Sequence, residues 1–438
     1  MSHRRPRAES ARSRPARRAG ALWLVPAAIV LAGLLLRLSV LDVPSRTPDE
    51  TFYGRYGYQV AHQGLSFIPF VVYQANRRPA WHVLPCGPQR VGYILLLAGS
   101  YAVSGANTVN LVAAVSLLSS SLVLLLLVLL GRRLADAWTT SAAALLLAFS
   151  PMDLAIARRG WQDDVLALFV LCMLYACVRA AIEPPRRRWI ALFFGAGLIA
   201  ILIKESAWPV YVAGTLFLAA RVRAVRAAAG GDPLPPPSLV LLVGALGAGA
   251  ALAVVAMACG SLAELRLTLH LAATNSAPNE YMRLNQMGSP LYYVEGLARL
   301  VPTAFVLGSA GTALGIFRAH RLAGDRPAAG TGIAVMAWFV AGFAVLAAIY
   351  PQRNLRFLSP LQAPCALLGA LALREGVRAV LARLPESRRW WVPAGVALLL
   401  AGSAALDVAR FREFFIRRGA PDLVTPAFRP PPRDTRPG

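Results

Sequence analysis

Apolar runs of about 20 residues recur along the whole of this chain, each long enough to cross a roughly 30 Å hydrocarbon core as a helix. No other feature limits its folding as strongly. Backbone groups inside a bilayer must find partners within the protein, and a helix satisfies them within one segment. Of 438 residues, 57% are hydrophobic and only 15% charged, against about 25% charged in soluble proteins. Mean hydropathy is +0.54. The expected fold class is all-α: a polytopic integral membrane bundle of about 11 transmembrane helices, with amphipathic surface helices in the first outer loop.

The net charge of +24 does not point to nucleic acid. The basic residues fall in short clusters between apolar runs, as the positive-inside rule expects, and form no soluble basic domain. Nearly all are arginine; Lys204 is the one lysine in the sequence. The cysteines (Cys86, Cys172, Cys177, Cys259 and Cys365) show no metal-ligand spacing. Residues 1–20, rich in Arg, Ser and Pro, read as a disordered basic cytoplasmic tail. No small-residue cleavage site follows, so the first apolar run is expected to be a retained span. Residues 21–407 form the expected membrane unit, and 408–438 a Pro/Arg-rich C-terminal tail.

Counting Arg in short loops assigns the sides. The N-terminal tail, carrying Arg4, Arg5, Arg7, Arg12, Arg14, Arg17 and Arg18, lies inside, so Asp49-Glu50 emerges outside after segment 21–41. The run 91–104 is short for a span, and reading it as a helix on the outer surface keeps Arg132-Arg133 and Arg186-Arg187-Arg188 inside. Asp163-Asp164 then shares the outer face with Asp49-Glu50. The outer loops are 42–109, 153–164 and 259–298, and 189–220 is a hairpin with Lys204-Glu205 at its apex. Basic residues flank both ends of segment 392–406, which leaves the side of the C-terminal tail open.

Charged groups at a bilayer edge are costly and usually kept for a task. Each acidic pair also has a plain reading, since acids favour the first turn of a helix. Two such pairs on one face fit a general base for an acceptor hydroxyl, or a divalent cation such as Mg or Mn held by Asp49 and Asp163. Lys204 reads either as a snorkelling lysine or as a chosen cation, because the composition would otherwise have supplied arginine; Glu205 is its natural partner. Arg353 and Arg356, ahead of a late span, read as interfacial arginines or as a clamp for a lipid phosphate. Arg158-Arg159 is basic on the outer side, where it can hold the carboxylates or meet an anionic substrate. A substrate with both a lipid tail and a phosphate explains a site at membrane level.

The order of these features resembles the GT-C glycosyltransferases, in particular the bacterial protein-mannosyltransferase-like and aminoarabinose-transferase-like branch. Pro48-Asp49-Glu50-Thr51-Phe52-Tyr53 matches the first-loop motif of that family. Ser150-Pro151, Arg158-Arg159 and Asp163-Asp164 match its second outer loop, Lys204-Glu205 with Pro209 its later hairpin, and Arg356-Phe357 with Pro360 its late Arg-aromatic element. The similarity is best over 20–220 and thinner over 350–372. Where many members carry a large domain after the last span, this sequence has a short tail, and its Arg77 to Pro85 stretch is looser than the family's Pro-Pro-Leu-like element.

The resemblance implies an inverting transfer of sugar from a polyprenyl-phosphate donor to an acceptor hydroxyl on a lipid, glycan or protein, outside the cell membrane, with the N-terminus cytoplasmic. It casts Asp49 as the base with Glu50 in support, Asp163 as the acceptor or metal ligand, and Lys204 and Arg356 as stabilisers of the leaving phosphate. Tyr53, Arg158, Arg159, Asp164, Glu205 and Arg353 complete the expected substrate site. The rival readings are a transporter or flippase of a lipid-linked saccharide, which tends to show pseudo-symmetric halves and midplane charges, and a non-catalytic membrane subunit of envelope assembly.

Overall fold

The computed structural model describes residues 23–41, 46–78, 90–229, 234–274, 280–289, 291–324, 326–350 and 352–429. The N-terminal arginine run, Cys86 and the Pro79 to Pro85 stretch lie outside the described residues. Among the described residues the regular structure is helical throughout.

The first apolar run forms α1 (Leu24–Ser39). Three helices follow before the next long run: α2 (Pro48–Gln63), α3 (Phe67–Arg77) and α4 (Val91–Ser104). Helix α3 is amphipathic, burying Ile68, Val71, Val72 and Ala75 while Phe70 and Tyr73 stay exposed. The short run 91–104 is indeed a separate helix, and α4 packs along α2.

Helix α5 (Asn110–Leu134) is followed by α6 (Ala137–Ala148) and α7 (Pro151–Ala157), bent by 57° relative to each other. The sequence reading had one continuous segment over 138–152. Pro151 cannot continue α6, and Ser150 caps a new helix by accepting from the Asp153 amide.

The order continues with α8 (Asp163–Ile182), α9 (Arg187–Ile203), α10 (Trp208–Ala229) and α11 (Pro237–Cys259). Shorter helices α12 (Leu262–Thr274), α13 (Glu280–Asn285) and α14 (Leu291–Leu300) fill the polar stretch. Helices α15 (Pro302–Ala323), α16 (Pro327–Ile349), α17 (Ser359–Leu381) and α18 (Trp391–Phe411) complete the set. Among the described residues, six helical stretches are long and apolar enough to cross a membrane, or seven if the bent α6–α7 pair is one span. The protein is a polytopic helical membrane protein.

Helix α8 organises the rest. Burial covers 72% of its apolar window, against 17% for α11 and 22% for the stretch containing α18. One face of α8 (Ala167, Leu171, Leu174, Val178) joins a core built from α1, α5, α6 and α14 to α17. The other face (Val165, Leu166, Val170, Met173, Cys177) joins a second core with α2, α4, α9 and α10. A helix apolar all round belongs at such a centre. Helices α15 and α17 approach closely through small residues, and a Cβ on Gly311 would overlap the Leu368 carbonyl. The outward faces of α11 and α18 leave Leu242, Leu246, Leu252, Leu398, Leu399 and Leu406 exposed, as lipid-facing helices require.

The chain after α18 does not trail away. A π-helical turn over Arg412–Arg417 leads to Leu423, Val424, Thr425 and Phe428, all buried. The Thr425 amide donates to the Tyr292 hydroxyl (2.9 Å), and Leu355 donates through its amide to the Leu423 carbonyl (3.0 Å). Residues 420–428 therefore pack against α14 and the turn that carries Arg356, a placement that loop charges could not reveal.

Candidate active site

The N-terminus of the central helix α8 lies where the two cores meet, and Asp163 is its first residue. Asp163 is almost fully buried and accepts from Lys204 Nζ at 2.7 Å. Lys204 stands at the end of α9 with an extended backbone (φ −158°, ψ 137°), so the break between α9 and α10 swings its side chain toward α8. The Phe357 ring lies 4.3 Å from its ammonium. A buried lysine without a carboxylate would be strongly disfavoured, and Asp163 supplies one.

Arg356 ties this pair to the start of α2. Its Nη2 donates to Asp49 at 3.3 Å, and its Nε lies 3.9 Å from Asp163 and 4.0 Å from Asp422. The buried Nε has no hydrogen-bond partner and sits between those two carboxylates. Trp161 backs the guanidinium, its ring 5.0 Å away. Asn354 caps the short helical turn Leu355–Leu358 by accepting from the Arg356 amide, which sets the arginine's direction. Asp49, Asp163, Lys204 and Arg356, spread over 300 positions of sequence, thus form one chain of ion pairs.

The Asp49 side chain keeps 26% of its exposure and Asp163 only 2%. Of the two, Asp49 is the more accessible carboxylate.

Beside this chain lies a second set, in which the expected Tyr53 and Glu205 meet Arg90 and Gln162, two residues the sequence does not mark; Glu205 pairs with Arg90, while Lys204 takes Asp163. Arg90 donates to the Tyr53 hydroxyl at 2.6 Å and lies 3.5 Å from Glu205. The Gln162 amide, oriented with its oxygen toward Arg90 Nη1 (2.9 Å), can donate to Tyr53 in turn. Tyr53 stacks edge-on against Tyr93 and is buried. No residue near Arg90 in sequence marked it as a site group; only its exclusion from the inner basic clusters could have drawn attention to it.

Glu50 has different company from Asp49. It is fully buried and closes a capping box with Thr47 at the start of α2. Arg46 and Arg159 reach it at 3.0 and 3.1 Å, and the Gly160 amide donates to it at 2.9 Å. A Cβ on Gly160 would overlap Val112, so the turn that brings this amide to Glu50 needs glycine. Glu50 therefore locks the start of α2 onto the turn ahead of α8, and so places Asp49 opposite Arg356.

Burial opposes the Glu50 charge, but the amides of Thr47 and Gly160 and the Arg159 guanidinium outweigh it and hold the carboxyl below its usual range. Its stabilisation is complete above the ordinary carboxylate pKa and is lost as pH falls through the lowered value. Glu50→Gln should lower stability at pH 7 by about 2 kcal/mol and flatten the acid side of the stability profile. Thermal unfolding followed from pH 7 to pH 4 checks both; a profile that keeps its wild-type slope would contradict this role.

The remaining candidates separate from the cluster. Asp164 turns away from Asp163 and accepts from Ser116 Oγ at 3.1 Å. Arg158 donates to the Phe415 carbonyl at 3.1 Å, fastening the chain after α18. Arg353 donates to the carbonyls of Gly288 and Ala348. Helix capping describes Glu50 well, but Asp163 does not cap α8: Gln162 holds the N-cap position and makes no side-chain cap bond.

Asp49 and Asp163, the carboxylates nominated for a divalent cation, are engaged by Arg356 and Lys204. Among the described residues no three His, Cys, Asp or Glu side chains converge to bind a metal ion.

Residues 91–231 match the family model described as dolichyl-phosphate-mannose-protein mannosyltransferase. No curated protein matches the sequence. Among solved structures, the apo oligosaccharyltransferase of Archaeoglobus fulgidus aligns over 88% of this chain and 56% of its own, with TM-score 0.56 and 13% identity. ArnT from Cupriavidus metallidurans bound to undecaprenyl phosphate aligns over 92% and 73%, with TM-score 0.50 and 16% identity. The archaeal oligosaccharyltransferase AglB in complex with an inhibitory peptide and a dolichol phosphate aligns over 89% and 55%, with TM-score 0.51 and 14% identity. The chain thus spans about half the length of the oligosaccharyltransferases it matches. With its helix order and the motif matches along its length, the chain has the GT-C fold of polytopic membrane glycosyltransferases.

Proposed function

We propose that this protein transfers a sugar from a polyprenyl-phosphate donor to an acceptor hydroxyl, at the extracytoplasmic face of the cell membrane. The observation that carries the reading is the meeting of Asp49, Asp163, Lys204 and Arg356 in one chain of ion pairs at the head of the central helix. The family-model match supports it, as do the lipid phosphates in the ArnT and AglB complexes.

In this reading Asp49, the more accessible carboxylate, takes the proton from the acceptor hydroxyl. The acceptor oxygen bonds to the anomeric carbon as the bond from that carbon to the phosphate oxygen breaks, and the electron pair leaves with the polyprenyl phosphate. Attack opposite the departing oxygen inverts the sugar. Arg356 stabilises the phosphate as its charge develops, with Lys204 and Arg90 adding positive potential around it. In the structure Arg356 pairs with Asp49, so an arriving phosphate competes for this arginine and frees the base. Asp163 restrains both Lys204 and Arg356. The lipid tail lies among the helices, and the positive-inside distribution of the loop charges supports a cytoplasmic N-terminus.

Vesicles containing the protein and a radiolabelled polyprenyl-phosphate sugar test the reading. Label should pass to an added membrane or glycan acceptor. Donor crossing the bilayer without transfer of label would instead support a transporter.

A further inference from the structure

We infer that Asp422, on the chain segment that follows the last long helix, is a positioning residue for Arg356 and thereby part of the transfer machinery. The inference rests on the glycosyltransferase reading above. Three carboxylates surround Arg356: Asp49 on the Nη side, and Asp163 and Asp422 on the Nε side. An arginine with two carboxylates behind it and one ahead is held between them. Without a counterweight on the Nε side, it would be drawn into a closer, two-pronged pair with Asp49. That pairing would hide the base and the phosphate-binding cation in each other.

Asp422 is built to stay where it is. It is buried, its Oδ2 accepts from Asn354 Nδ2 at 2.9 Å, and its Oδ1 accepts from the Leu423 amide at 2.7 Å. Asn354 also caps the turn that carries Arg356, so one side chain joins the carboxylate and the arginine it faces. The segment is anchored independently by Thr425 on Tyr292 and by Arg429 on Glu295. Asp422 is a buried acid directly before Leu423 and Val424, which are themselves buried. Its carboxylate faces Arg356, which contacts both Asp49 and Asp163.

The test uses the full-length protein in detergent, with transfer rate measured against donor concentration and undecaprenyl phosphate as the binding probe. Asp422→Asn should lower kcat about tenfold, because small misplacements of a catalytic group cost factors of this size or more. The donor KM and the affinity for the probe should stay within about threefold, since Arg356 itself remains. Asp422→Glu should recover most of the lost kcat; because the Asn amide sets a donor against Asn354 Nδ2 or the Leu423 amide, the rates are compared well below the melting temperature measured for each variant. A control, Arg429→Gln, loosens the segment's outer tether and should leave kcat unchanged.

Full kcat in Asp422→Asn overturns the inference, as does a loss that follows melting temperature and is not recovered by Asp422→Glu. A wild-type protein that transfers no sugar overturns instead the reading on which it rests.

Discussion

Asp49→Asn is expected to reduce sugar transfer by about 10³-fold, within the span assigned to a positioned general base, while leaving the fold intact. The amide cannot take the acceptor proton, and it is close in size to the carboxylate. Asp49 is partly exposed and shares one ion pair with Arg356, whereas the neighbouring Glu50 holds the loop in place. The fold should therefore tolerate the change. Transfer rate and melting temperature measured on the same preparation decide the matter. Normal turnover would remove Asp49 from the mechanism, and a large drop in melting temperature would reassign it to structure.

The Asp163–Lys204 pair should behave in the opposite manner. Both side chains are buried, at 2% and 6% of full exposure, and neither has water to fall back on. Removing either partner leaves a buried charge without its nearest counter-ion, which costs about 3–5 kcal/mol. Asp163→Asn and Lys204→Met should each lower the melting temperature sharply. The double variant, which removes both charges, should recover much of that stability. It should not recover transfer, because Arg356 loses one of its Nε carboxylates and the site loses a cation. A double variant that regained activity with stability would show the pair to be structural only. A double variant no more stable than the singles would show that the charges do not compensate each other.

Much of this arrangement was legible in the residues. Hydropathy marked the spans because burial in lipid imposes a local, near-continuous requirement on about 20 consecutive residues. The charge asymmetry of the loops placed Asp49, Asp163 and Lys204 on one face, and these three do meet with Arg356. The unusual choice of lysine at position 204 pointed to a residue that is paired and buried.

Other features depended on partners far away in sequence. Thr47 and Arg46 mark Glu50 locally as a helix-capping acid, but nothing around it marks it as a staple to a second loop, since Arg159 and the Gly160 amide come from about 110 positions away. Asp164 looked equivalent to Asp163, yet adjacent positions on a helix point about 100° apart, and only Asp163 faces Lys204. Arg353 and Arg356 looked alike for a similar reason, until the capped turn at Asn354 sent one to backbone carbonyls and the other to three acids.

The membrane class and the candidate acids follow from the sequence alone. Each depends on the composition of a short window or the count of charges beside it. The pairing of those acids, the entry of Arg90 and the return of Asp422 to Arg356 were decided by tertiary structure. An ion pair is a relation between two side chains, and its strength depends on distance and burial that neither sequence window contains. The packing of α8 between two cores brought those windows together.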